Sequence, residues 1–128
     1  MKKKVLIIQA NYYKDISTAL LKSAKNELKN FAKIDVISVP GVFEIPVVIS
    51  KNLKKYDGFV ALGCEIKGQT PHFDVISKST TDAIMNISVE SNKPVGNGII
   101  TCLNKNQAIA RGKKGGEAAK AVKTILSL

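Results

Sequence analysis

The chain opens with an uninterrupted apolar run, Lys4 to Gln9 (KVLIIQ), bounded by polar residues. Such a run, without alternation, is what a strand buried on both faces requires. The period then changes. From Asp15 to Phe31 the apolar positions Ile16, Ala19, Leu20, Ala24, Leu28 and Phe31 fall at helical spacing and predict an amphipathic helix. Ile34 to Val39 predicts a second strand, halted by Pro40-Gly41. Ile45 to Leu53 predicts a short helix that tolerates Pro46 because a first-turn proline forfeits no intrahelical hydrogen bond. Asp57 to Leu62 (DGFVAL) predicts a third strand. Thr70 to about Glu90 predicts a long helix, with Thr70 as N-cap, Pro71 at its first position, and Ile76, Ala83, Ile84 and Ile87 facing inward. Val95 to Cys102 predicts a fourth strand that carries Gly96 and Gly98. Gln107 to Arg111 and Gly116 to Leu126 predict two last helices, the second with Ala118, Val122, Ile125 and Leu126 on one face.

Strands alternating with helices at this spacing predict βαβ units, and so a parallel sheet covered on both faces. The simplest solution is an α/β fold, a flavodoxin-like three-layer αβα arrangement with a four-stranded parallel sheet, formed by residues 1–128 as a single domain without a linker. Ligands of such folds bind outside the carboxyl ends of the strands. Here those ends are Ala10 to Tyr13, Pro40 to Glu44, Gly63 to His72 and Asn97 to Asn104.

Composition narrows the possible functions. A formal charge of +10 invites a nucleic-acid partner, but 19 of the 20 basic residues are lysines, scattered along all 128 residues with only Lys2 to Lys4 in a run. No helix-turn-helix or RNA-binding signature accompanies them, so they read as solvated surface charge and no nucleic-acid partner is expected. Cys64 and Cys102 are the only cysteines, which suits a reducing cytoplasm. The Lys-rich start resembles the head of a signal peptide, but the apolar run behind it is too short for one. No stretch is long and apolar enough to span a bilayer.

The unusual residues fall at the strand ends. In Gly63 to Asp74 (GCEIKGQTPHFD), Gly68 lets the chain bend before the helix, so that the N–H groups of Gln69 and Thr70 point outward. A helix N-terminus with free amides is an anion site. The Gly63-x-x-x-x-Gly68 spacing resembles a P-loop, but Gln69 and Thr70 stand where Lys and Ser/Thr are needed, so a nucleotide triphosphatase is not expected. His72 is the only histidine. A lone histidine is usually structural, but beside an anion site an imidazole can move protons. With no second histidine and no ligand spacing to Cys64 or Cys102, no metal is expected. Arg111 is the only arginine, a planar bidentate donor suited to phosphate.

The segments Val39-Pro-Gly-Val-Phe-Glu-Ile-Pro46, Leu62-Gly-Cys-Glu-Ile-Lys-Gly-Gln-Thr-Pro-His-Phe-Asp74 and Gly96-Asn-Gly-Ile-Ile-Thr101 resemble the three signatures of the 6,7-dimethyl-8-ribityllumazine synthase family. Gln107-Ala-Ile-Ala-Arg111 and Lys114-Gly-Gly-Glu-Ala-Ala119 resemble its C-terminal pair, in collinear order over almost the whole chain. The resemblance implies condensation of 5-amino-6-(D-ribitylamino)uracil with 3,4-dihydroxy-2-butanone 4-phosphate, without a cofactor. It implies that Tyr12 stacks on the pyrimidine and that Val42, Phe43 and Glu44 hold the ribityl chain. Cys64, Glu65 and Ile66 would line the pyrimidine largely through backbone groups, with Asn97 as a further contact and Lys114 nearby. Gln69, Thr70 and Arg111 would bind phosphate, and His72 would transfer protons.

Several positions depart from the family pattern. Asn11 and Lys67 stand where Arg is frequent, Glu65 where Val is, Asn97 where an aromatic ring is and Leu103 where Glu is. The loop between Arg111 and Gly115 is short. The resemblance further implies a homopentamer with active sites between subunits, and riboflavin synthase as a candidate partner. The absence of a longer arm before the first strand favours a free pentamer. Two other functions resemble this one: an archaeal-type riboflavin synthase, which dismutates lumazine, and a non-catalytic flavin or lumazine carrier. The Pro-Gly-Val-Phe-Glu-Ile-Pro loop and His72 argue against the first, and retention of both His72 and Arg111 against the second.

Overall fold

The first apolar run becomes β1 (Lys3–Ala10), in which Val5, Leu6, Ile7 and Ile8 are fully buried. A computed structural model describes residues 2–68 and 71–128. After β1 the chain forms α1 (Lys14–Leu28), β2 (Ala32–Val39), a 3-10 turn over Val42–Glu44 and α2 (Ile45–Lys51). Then come β3 (Gly58–Ile66), α3 (His72–Ser91), β4 (Val95–Cys102), α4 (Lys105–Ala110) and α5 (Lys114–Leu126). The strands pair in the order β2-β1-β3-β4, every pair parallel. This is the flavodoxin-like winding predicted above, stopped at four strands.

Helices close both faces. Side chains of one parity, Val5, Ile7, Val60 and Leu62, pack against α1 and α5 through Leu20, Leu28, Ala119 and Val122. Those of the other parity, Leu6, Ile8, Phe59 and Ala61, pack against α2 and α3 through Ile45, Ile49 and Ile84. Leu20 and Leu28 are fully buried, and cutting either back to alanine should cost about 2–5 kcal/mol. The layers meet closely because two glycines leave room. A Cβ on Gly96 would run into the Ala118 carbonyl of α5, and one on Gly115 into the Leu20 carbonyl of α1. Ser23 of α1 ties the same corner down: its hydroxyl donates to the Gly112 carbonyl at 2.9 Å and accepts from the Gly116 N–H at 3.0 Å.

Element boundaries differ from the sequence reading where tertiary partners intervene. α1 ends at Leu28, whose carbonyl accepts from the Phe31 N–H at 2.9 Å, and Phe31 packs half-buried from the turn. β3 runs on past Leu62 because Gly63 to Ile66 find ladder partners in Ile99 to Cys102 of β4. α3 is described from His72, with Pro71 at the cap position; Thr70, the predicted cap, lies outside the described residues. α4 begins two residues before the predicted Gln107, capped by Asn104 Oδ1, which accepts from the Gln107 N–H at 3.0 Å. On α5 the buried face is Gly115, Ala118, Ala119 and Val122. Ile125 falls at its margin and is 51% exposed, against the expectation that it turns inward. Among the described residues no helix is long and apolar enough to cross a membrane.

Candidate active site

The carboxyl ends of β1 and β3 and the start of α3 enclose a cavity of about 580 Å3. Its walls come from four short segments: Ala10, Tyr12 and Tyr13; Gly41 to Glu44; Cys64 to Ile66; and His72 with Ile76. Gly63 makes this geometry possible. A Cβ there would lie 2.5 Å from Val42 Cγ1 and 3.2 Å from Ala10 Cβ, so only glycine lets the Val42–Glu44 turn rest on the strand ends. Val42 is buried beneath that turn, while Phe43, 64% exposed, is held at the mouth.

Tyr12 is 76% exposed and meets Tyr13 edge-to-face, ring centroids 4.9 Å apart. Two offset aromatic rings at a cavity mouth offer a planar ligand a stacking surface. Tyr13 is half-buried, and burial first, then the Cys64 thiol, raises its phenol above the usual value.

Electrostatics separate the polar residues by role. Burial, helped by the neighbouring Cys102 thiol, pushes the Cys64 thiol up to about 12. It therefore stays protonated at neutral pH and is no nucleophile. Burial also raises the Glu65 carboxyl, and His72 pulls it back the other way. His72 itself is exposed on the first turn of α3 and lines the cavity. Among the described residues no three His, Cys, Asp or Glu side chains cluster as a metal ion would require.

Eight of the predicted residues meet in this cavity: Tyr12, Val42, Phe43, Glu44, Cys64, Glu65, Ile66 and His72. Gln69 and Thr70 lie outside the described residues. Three others stand apart. Asn97 is exposed in the middle of β4, where its Oδ1 accepts from the Ile99 N–H at 3.0 Å. Arg111 caps α4, and its Nη1 donates to the Thr101 carbonyl at 3.0 Å and to Cys102 Sγ at 3.7 Å. Lys114 is exposed at the start of α5. The sequence reading missed Ala10, Tyr13, Gly41 and Ile76. Tyr13 was findable as the second aromatic after β1, and Ile76 as the residue one turn beyond His72. A larger hollow of about 1080 Å3 lies between α1 and the Ile109–Lys113 region, but none of the predicted residues lines it, and neither does any carboxylate or histidine.

The family described as 6,7-dimethyl-8-ribityllumazine synthase matches residues 2–128. The chain is 44% identical to the 6,7-dimethyl-8-ribityllumazine synthase of Agrobacterium fabrum, over 97% of this chain and 93% of that protein. It is 44% identical to the enzyme of the same name from Bartonella tribocorum, over 100% and 92% of the two chains. Against 6,7-dimethyl-8-ribityllumazine synthase 1 of Rhodopseudomonas palustris it is 42% identical, over 98% and 85%. A match along nearly the full length of both partners covers every segment that walls the cavity. The chain belongs to the 6,7-dimethyl-8-ribityllumazine synthase family.

Proposed function

We propose that this chain is a 6,7-dimethyl-8-ribityllumazine synthase whose pyrimidine half-site is the cavity at the ends of β1 and β3. The enzyme condenses 5-amino-6-(D-ribitylamino)uracil with 3,4-dihydroxy-2-butanone 4-phosphate in riboflavin biosynthesis. The observation that carries the site is the meeting of the Val42–Glu44 turn, Cys64 to Ile66 and His72 in one cavity. Tyr12 covers the ring, Glu44 accepts hydrogen bonds from ribityl hydroxyls, and the β3 end lines the pyrimidine edge. The pyrimidine amine attacks the ketone to give an imine and water, phosphate leaves, and the second amine closes the ring with loss of a second water. His72 moves the protons. Alignment of the two reactants supplies most of the barrier reduction, and proton transfer a smaller share. Every step is carbonyl or proton chemistry, so no cofactor takes part.

Phosphate falls to Gln69, Thr70 and Arg111, with Asn97 and Lys114 completing the site from a neighbouring copy. The supporting observation is that Arg111, Asn97 and Lys114 lie on the exposed surface, outside the cavity that holds their expected co-residues. α3 also presents Val75, Met85 and Val89 outward, apolar side chains suited to a second copy of the chain. A pentamer is the smallest assembly this reading allows. The unpaired thiols fit a reducing cytoplasm, and the product's consumer there is riboflavin synthase.

Mixing both substrates with purified protein and following product absorbance tests the activity. Riboflavin formed from lumazine alone would assign the dismutase instead, and tight lumazine binding without turnover a carrier. Sedimentation at micromolar concentration should show at least five chains; a fully active monomer would overturn the shared site.

A further inference from the structure

One cavity residue has no side-chain role in the reaction as assigned, and it is also a departure from the family pattern. Glu65 is the penultimate residue of β3, half-buried, and lines the same cavity as His72. The titratable groups around it are few. His72 comes from α3, Tyr13 and Tyr12 from the connection after β1, Glu44 from the 3-10 turn, and the Cys64 thiol from β3 itself. Among the described residues of this cavity, His72 is the only group able to carry a positive charge.

Resting on the synthase reading, we infer that Glu65 is a positioning residue for His72, its carboxylate steadying the imidazole across the cavity when the ring takes a proton from the reacting amine. The geometry favours this over a surface role, because a carboxyl at the strand end is withdrawn from water and has one cationic neighbour to compensate it. Burial resists ionisation of Glu65, and His72, facing the same cavity, works against that penalty. Each proton is accounted for: it moves from the attacking amine to the imidazole and onward to the departing oxygen, while Glu65 takes no proton from the reaction. A valine at this position would pack the cavity and leave the imidazolium uncompensated.

The test compares wild type, Glu65→Gln, His72→Ala and the double variant, each as the assembled enzyme, with kcat and KM measured from about pH 5 to 9. Glu65→Gln should lower kcat about three- to tenfold and move the acidic limb of its pH dependence down by about 0.5–1 unit. The sign follows from the charge: without a negative neighbour, adding a proton to the cavity is harder and needs lower pH. KM for the pyrimidine should stay within about twofold, and Glu65→Gln should add nothing once His72 is alanine. Glu65→Asp should restore the position of the limb. If Glu65→Gln does not fold, Glu65→Val makes the same test. An unmoved limb, a change confined to the pyrimidine KM, or an equal loss in the His72→Ala background would each overturn the inference. A wild-type enzyme that makes no lumazine would instead strike the synthase reading.

Discussion

Replacing Gly63 by alanine puts one methyl group where the cavity is assembled, and the structure allows its cost to be worked out. The backbone of Gly63 lies within the β3 ladder at negative φ, so alanine can adopt it without strain. The cost is therefore one of space. The new Cβ would sit 2.5 Å from Val42 Cγ1 and 3.2 Å from Ala10 Cβ, against about 3.5–4.0 Å for comfortable carbon–carbon approach. Val42 is buried and β-branched, so it cannot swing aside cheaply, and the Val42–Glu44 turn must retreat by about 1 Å. Overpacking of this kind costs about 1–3 kcal/mol, partly offset by about 0.4–1 kcal/mol because alanine restricts the unfolded chain. The net loss should be about 0–2.6 kcal/mol, a fall in Tm of up to about 10 °C for a chain of this size. Because the displaced turn also carries Phe43 and Glu44, kcat/KM for the pyrimidine should fall about ten- to a hundredfold. Urea unfolding at fixed protein concentration, with an unchanged m-value, and steady-state kinetics give the two readouts. Stability within about 0.5 kcal/mol of wild type together with kcat/KM within twofold would refute the claim that this glycine seats the turn.

Arg111→Ala should raise KM for the butanone phosphate about a hundredfold, from loss of a charge-assisted contact worth about 2–3 kcal/mol, with far less effect on the pyrimidine. Equal weakening toward both substrates, in initial-rate measurements, would contradict the phosphate role. His72→Ala should lower kcat about ten- to a hundredfold with little change in pyrimidine binding, since aligned amine and ketone still react slowly unassisted. Wild-type kcat across neutral pH would leave the histidine as a feature of the helix start alone. Cys64 should resist iodoacetamide at neutral pH in the folded enzyme and react freely in denaturant, as mass spectrometry can follow. Its thiol also predicts a pH effect. The folded chain holds a proton that the unfolded chain releases above pH 9, so this contribution to stability is intact below pH 9 and is lost as pH rises toward about 12.

Periodicity made the layers legible, because each layer buries one face and burial writes itself into residue type. β1 and the first half of β3 could hardly be anything but inner strands. The second half of β3 was hidden, since Gly63 reads as a breaker until β4 offers it a hydrogen-bonding partner. The end of α1 was misjudged because Phe31 keeps helical spacing, yet reaches the core from a turn. In the site, Val42 to Glu44 and Cys64 to Ile66 were readable as strand-end segments, and the family resemblance assigned their roles. What could not be read was the separation of Arg111, Asn97 and Lys114 from the cavity. Distance through space depends on how α4 and α5 dock on β4, and that docking turns on the room left by Gly96 and Gly115 rather than on any motif.

The Ser23 hydroxyl shows how the molecule could be altered by descent. It grips both Gly112 and Gly116, the residues flanking the short span that follows Arg111. So brief a span cannot adjust on its own, so the backbone that carries Arg111 is anchored from α1, a helix that contributes no side chain to the cavity, while its guanidinium is held by the end of β4. The cavity is thus shaped by the turn and strand ends, whereas the segment that carries the arginine is braced by a strut from α1. If Arg111 binds phosphate as proposed, lineages could retune that contact through changes on α1 while the cavity stays as it is. Variation at Ser23 and its neighbours is where such drift would first be heard.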